Sequence, residues 1–304
     1  MDWIAEIRAA QARIAGHARQ TPVMQASGFG LGYPIEMKLE QMQHTGSFKA
    51  RGAFNTLLSC PVPKAGLVAA SGGNHGAAVA YAGAQLGHKA RIYVPEMAGP
   101  AKIALIKGLG ADLQVVPGAY SNALEAAQQH EAETGAMQIH AYDAPATVTG
   151  QGTCMAEWED QGLEADTVLI AVGGGGLIAG ALAWLSGRRK VVAVEPETAC
   201  ALHAAQEAGT PVDVDVSGVA ANALGARKIG RICFDLAKGV PTVLVSDDAI
   251  RTAQHALWRE ARQLVEPAGA AALAALMSGA YQPEPGECVA VLICGGNIAP
   301  DPLA

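Results

Sequence analysis

Five apolar residues, Val168 to Val172, run straight into four glycines, Gly173 to Gly176, and a helical pattern opens at about Leu177. A strand that is apolar on both faces belongs inside a parallel sheet with helices packed on each side. The alternation recurs along the chain. Strand patterns fall at 35–39, 66–70, 90–94, 112–116, 167–171, 191–195 and 289–293. Helical patterns fall between them, at 47–59, 74–86, 100–108, 121–134, 148–160, 177–185 and 199–208, with two more at 247–262 and 267–277. An opening helix is capped by Asp2, with Ile4, Ile7 and Ile14 on one face, and Ser47 is placed to cap the helix that follows it. Two such runs predict an α/β protein of two domains, each a mostly parallel twisted sheet covered by helices. The smaller domain spans 61–141, and the larger takes 1–60 and 142–304.

The balance of residue types narrows the function. Half of the 304 residues are hydrophobic and 16% are charged, which supplies a large core and argues against disorder. A net charge of −7 does not offer the basic face that nucleic acid requires. The six cysteines show no CxxC spacing, so reduced thiols are expected rather than a metal or disulfide framework. The N-terminus has no basic, then apolar, leader pattern, and no apolar run reaches the roughly 18 residues that span a bilayer. A cytoplasmic protein without membrane contact is expected.

Three polar segments carry the chemistry. Glycines at 173–176 let backbone N–H groups approach an anion, and the helix behind them adds free donors and a partial positive charge. The loop lacks the GxGxxG spacing of a dinucleotide fold and the Gly-Lys-Ser/Thr ending of a nucleotide loop. The plainer reading is a tight strand–helix turn. Lys49, in His44-Thr45-Gly46-Ser47-Phe48-Lys49-Ala50-Arg51-Gly52, falls in the first turn of its helix. The helix dipole, and Arg51 if turned inward, would lower its amine pKa and favour reaction with a carbonyl; the alternative is a solvated lysine. Ser71-Gly72-Gly73-Asn74-His75-Gly76 forms a second small anion nest suited to a carboxylate, with a capping or core histidine as the alternative for His75. A reactive amine together with a phosphate cup implies a cofactor carrying both an aldehyde and a phosphate, which is pyridoxal 5′-phosphate.

These segments, in this order, resemble the serine/threonine dehydratase family of fold-type II pyridoxal-phosphate enzymes, which share the tryptophan synthase β-like fold. The resemblance runs from about Thr21 to Asn297 and rests on Ser47-Phe48-Lys49-x-Arg51-Gly52, Gly73-Asn74-His75, the glycine run and Glu266-Pro267-Ala268-Gly269-Ala270. It implies that Lys49 is the Schiff-base lysine, that Phe48 packs on the cofactor ring and that Asn74 bonds its 3′-oxygen. It also implies that Gly173, Gly174, Gly175, Gly176 and Leu177 hold the phosphate in the larger domain, and that Cys294 stands where the family has a serine facing the pyridine nitrogen. Ser71, Asn74 and His75 correspond to the substrate-carboxylate loop of the smaller domain.

Two departures qualify the resemblance. Gly72 stands where serine racemase has a serine that serves the second face of the substrate, so racemisation is disfavoured. The family's cation site maps to Glu195, Ala199 and Ala201, where a carboxylate is missing at the last position, so no metal is expected. The chain ends soon after Asn297, and no regulatory domain is expected.

The expected reaction is β-elimination from a β-hydroxy amino acid such as L-threonine or L-serine, giving a 2-oxo acid and ammonia. The side-chain pocket is expected from residues after Tyr120 and around 219–224. Residues 118–122 hold no arginine for a second substrate carboxylate. The alternatives are an amino-acid racemase, a β-replacement enzyme or a hydroxyaspartate-type ammonia-lyase on the same fold, or a non-catalytic amino-acid-binding protein. Relatives imply a homodimer or homotetramer.

Overall fold

The computed structural model describes residues 1–118 and 120–298. The first third contains α1 (Trp3–Arg13), β1 (Val23–Ala26), β2 (Ile35–Leu39), α2 (Lys49–Ser59), β3 (Leu67–Ala70), α3 (Asn74–Gln85) and β4 (Ala90–Pro95). Next come α4 (Pro100–Gly108), β5 (Asp112–Val116), α5 (Tyr120–Thr134), β6 (Met137–Gln138), α6 (Pro145–Asp160), β7 (Thr167–Ala171), α7 (Gly176–Leu185) and β8 (Lys190–Pro196). The chain closes with α8 (Ala201–Ala208), α9 (Ala221–Leu224), α10 (Arg231–Leu236), β9 (Thr242–Val245), α11 (Asp247–Ala261), α12 (Pro267–Met277) and β10 (Val289–Ile293).

Among the described residues the strands form two sheets. A six-stranded sheet has the order β1-β2-β10-β7-β8-β9, and a four-stranded sheet has the order β5-β4-β3-β6. Every pairing is parallel except β1 with β2. In the larger sheet β10 lies centrally, with Val289 opposite Ile35 on one side and Thr167 on the other. All five residues of β2, β7 and β10 are buried. The α/β architecture expected from the apolar runs is therefore present. Asp2 caps α1 through Ala5 N–H, but of the three isoleucines only Ile7 and Ile14 are buried, and Ile4 is exposed.

Helix α2 joins the two halves. Ala50, Ala53, Phe54 and Leu57 share a core with Leu67, Ala69 and Ile92 of the smaller sheet. Its other face lies against α6 at very short range. A Cβ on Gly150 would stand 2.8 Å from the Cα of Gly52, so glycine there is what permits this approach. The larger core is built from the six-stranded sheet, α6, α7, α11 and α12. Loops leaving the carboxyl ends of β3, β7 and β10 face the start of α2, and the candidate site lies among them.

Candidate active site

The segment before Lys49 is fixed at several points. Thr45 takes a left-handed φ of 59°, Ser47 bridges to Gly295, and Phe48 N–H donates to the Cys294 carbonyl at 3.4 Å. Ser47 does not cap α2 as the sequence predicted. The capping position is Phe48, and the Ser47 hydroxyl is buried without a hydrogen-bond partner. Its backbone is committed to the bridge with Gly295, which holds it one residue too early.

Lys49 Nζ donates to the Ala141 carbonyl at 2.7 Å. Burial pushes its pKa down to about 8, opposed by the nearby Cys294. Arg51 is not the cause expected from sequence. Its guanidinium turns away into a buried cluster, bonding Glu40 at 2.7 and 2.8 Å and Glu157 at 2.9 Å. Lys38 completes the cluster at 2.6 Å from Glu157, and Thr21 donates to Glu40. Two cations and two anions thus sit beneath the first turn of α2 and hold it against β2 and α6. In the cofactor-free protein, acetylation of Lys49 by a small amine-selective reagent should rise with pH through a midpoint of about 8. Ordinary lysines reach their midpoint only near about pH 10. Peptide mapping against pH checks this, and a midpoint at the ordinary value would contradict it.

The glycine loop has no room for side chains. A Cβ on Gly174 would collide with Tyr142, one on Gly175 with Cys233 and one on Gly176 with Gln151; one on Gly173 would stand 2.8 Å from Leu224 Cα. Gly175 also has a φ of 90°. No side chain caps α7, so its first N–H groups remain directed at the cleft. Phe48, Lys49, Asn74, residues 173–177, Glu266 and Cys294 line one cavity. Ala223 and Leu224, within the expected side-chain pocket, also line it. Cys294 sits at the end of β10. Its thiol donates to the Ala268 carbonyl at 3.4 Å, and burial pushes its pKa up, keeping it neutral.

Asn74 begins α3, whose N-terminus is also uncapped. Its amide is gripped on both sides: Nδ2 donates to Glu266 Oε1 at 2.5 Å, and Oδ1 accepts from Asn297 at 2.8 Å. Ser71 Oγ accepts from Gly73 N–H at 3.2 Å. A side chain at Gly72 would collide with Ala98, which adds a steric reason for glycine there. The ring of His75 points away from the loop and donates through Nε2 to the Ile139 carbonyl at 2.8 Å. Burial and the nearby Lys49 push its pKa down to about 3, so it is neutral. Only the backbone of His75 is available to a carboxylate.

Two groups in the cleft escaped the sequence reading. Glu266 is buried, and burial raises its pKa to about 7 against the opposing effects of Asn74 and Lys102. Lys102, in the first turn of α4, is buried beside Gly73. The Glu266-to-Ala270 run was a signal for the first, although nothing in it indicates an acid. A lysine opening a helix gives no signal for the second. The two oxygens of Glu195, the candidate cation ligand, accept the backbone N–H groups of Leu202 and His203, both at 2.8 Å. Among the described residues no group of three His, Cys, Asp or Glu side chains could hold a metal ion.

The cleft therefore combines an amine of lowered pKa, two uncapped helix N-termini, a neutral thiol and a buried carboxyl. Comparison with known proteins agrees with this inventory. A family profile described as pyridoxal-phosphate dependent enzyme matches residues 14–295. A phenylserine dehydratase of Ralstonia pickettii is 35% identical over 97% of this chain and 93% of its own length. An L-threonine ammonia-lyase of Geobacter sulfurreducens is 34% identical over 96% of this chain and 75% of its own. Among solved structures, maize serine racemase superposes with a TM-score of 0.92 at 30% identity, covering 99% of this chain and 95% of that one. A threonine deaminase from T.th. superposes with a TM-score of 0.90 at 35% identity, covering 98% of this chain and 99% of that one.

Proposed function

We propose that this chain, which belongs to the pyridoxal-phosphate dependent enzyme family, eliminates water from a β-hydroxy amino acid such as L-threonine or L-serine, giving a 2-oxo acid and ammonia. The observation that carries the proposal is Lys49. Its amine, with a pKa of about 8, opens into the one cavity that also holds the glycine loop and Asn74. The residues present fit the cofactor. Four positions that admit no side chain, in front of an uncapped helix, form a cradle for a phosphate.

In this reading residues 173–177 would hold the phosphate, Phe48 would pack on the ring, Asn74 would serve the 3′-oxygen and Cys294 the ring nitrogen. When bound, pyridoxal 5′-phosphate supplies an aldehyde for amines and a ring that withdraws electrons from the carbon beside the substrate nitrogen. Lys49 moves the proton at the substrate Cα, and its lowered pKa suits it to accept one near neutral pH. The Ala141 carbonyl holds the amine within the cleft. Cys294 would face the ring as a neutral weak donor and would bring no charge to it. Ser71 and the N–H groups opening α3 take the substrate carboxylate. Gly72 offers no side chain for proton transfer on the opposite face, which supports elimination over racemisation.

The proposal includes a smaller carboxylate-binding domain over 61–141 and a larger cofactor domain over 1–60 and 142–304, in a homodimer or homotetramer in the cytoplasm. The mild acidity and six free cysteines support that location. Among the described residues no helix is long and apolar enough to cross a membrane. Incubating the holoenzyme with L-threonine, L-serine, phenylserine and hydroxyaspartate tests the proposal. The expected result is a 2-oxo acid with equimolar ammonia from at least one of the first three. Formation of the D-amino acid without a 2-oxo acid, or no turnover of any of them, would overturn it.

A further inference from the structure

The Lys102 side chain takes no part in the chemistry centred on Lys49. It is 7% exposed, and among the described residues its ammonium makes no hydrogen bond or ion pair. The lysine stem is buried, while the ammonium at its tip keeps some access to solvent and has no counter-ion in contact. Glu266 acts on it only through space, and that carboxyl is already bonded to Asn74. The ammonium points to the start of α3: Lys102 Nζ lies 3.8 Å from where a Cβ on Gly73 would stand. Two sources of positive potential therefore meet at one place. One is the uncapped N-terminus of a twelve-residue helix, and the other is an unpaired cation at the end of a buried lysine stem on a neighbouring helix.

We infer that Lys102 is the counter-ion for the substrate's α-carboxylate, acting with the N–H groups that open α3; the inference rests on the amino-acid elimination reading. An anion at this point completes both features at once. The α-carboxylate is the anion that every amino-acid substrate carries, whatever its side chain.

The test titrates the visible band of the holoenzyme with L-alanine, which has no β-leaving group and no second carboxylate, and with L-alaninamide, which lacks the carboxylate. Lys102→Met should weaken L-alanine by about ten- to a hundredfold, the loss expected for one hydrogen bond to a charged group. It should weaken L-alaninamide by less than about threefold. Lys102→Arg should restore most of the L-alanine affinity. For L-threonine turnover, KM should rise by a larger factor than kcat falls. Thermal stability of ligand-free Lys102→Met should stay close to that of the parent, because among the described residues the ammonium makes no bond that holds the fold and methionine keeps the buried stem packed. Equal weakening of both ligands, no weakening of either, or a marked loss of stability would overturn the inference while leaving the elimination reading in place. A parent holoenzyme whose band ignores L-alanine would overturn the functional reading as well.

Discussion

Lys49→Ala should yield a folded protein that lacks the visible absorption of a lysine-linked pyridoxal and eliminates β-hydroxy amino acids about 10²- to 10⁴-fold more slowly. Among the described residues the ammonium's hydrogen bond is to one carbonyl, that of Ala141, so its removal leaves the packing of α2 nearly untouched. The apolar face of that helix, Ala50, Ala53, Phe54 and Leu57, still seals the core it shares with the smaller sheet. Far-ultraviolet circular dichroism, the absorption spectrum and a 2-oxo acid assay on one preparation separate these effects. Full elimination by the variant would contradict the role given to Lys49. Loss of the fold would contradict the claim that this lysine is spent on chemistry.

The largest effect on stability should come from Glu40→Ala. Glu40 is fully buried and accepts two bonds from Arg51, itself 2% exposed. Removing the carboxylate leaves two buried cations, Arg51 and Lys38, sharing Glu157 alone, and the guanidinium cannot lose its proton; breaking a buried pair in this way costs about 3–5 kcal/mol. Urea unfolding should show the loss as a lower midpoint. Replacing Glu40 and Arg51 together with apolar residues of similar size should recover much of it, because no unpaired charge remains. A Glu40→Ala midpoint equal to that of the parent would contradict this account. The cluster also sets a direction with pH. Burial raises the pKa of Glu40, but Arg51 and Lys38 outweigh burial and hold it below the usual carboxylate value. A lowered folded-state pKa contributes stability that is fully present above the unfolded value. It is lost as the pH falls through the folded one.

The legible parts of the chain were those where one short segment carries its own signal. Strands β7 and β10 are continuous apolar runs because both of their faces are covered, and the glycines after β7 mark a turn that neighbours keep free of side chains. Strands β1 and β9 were not predicted. They are four-residue edge strands, half-exposed over most of their length, and show neither a full apolar run nor a clear alternation. The short helices α9 and α10, of four and six residues, span too few turns to show a period. Within the site, Lys49, Asn74 and Cys294 stood out from local pattern and resemblance. What failed depended on tertiary surroundings. Arg51 was a candidate for tuning Lys49 until its partners Glu40 and Glu157 took it elsewhere, and the ring of His75 turned to Ile139. The charges of Glu266 and Lys102 matter because of burial, which arises from segments far apart in the chain.

The central claim is that one amine, that of Lys49, forms the covalent link to pyridoxal 5′-phosphate. Borohydride reduction of the holoenzyme followed by protease digestion and mass spectrometry tests it most directly. The account predicts loss of the visible band and a phosphopyridoxyl group on the peptide containing Lys49. A label on any other lysine, or a protein that takes up no cofactor and carries no label, would contradict it.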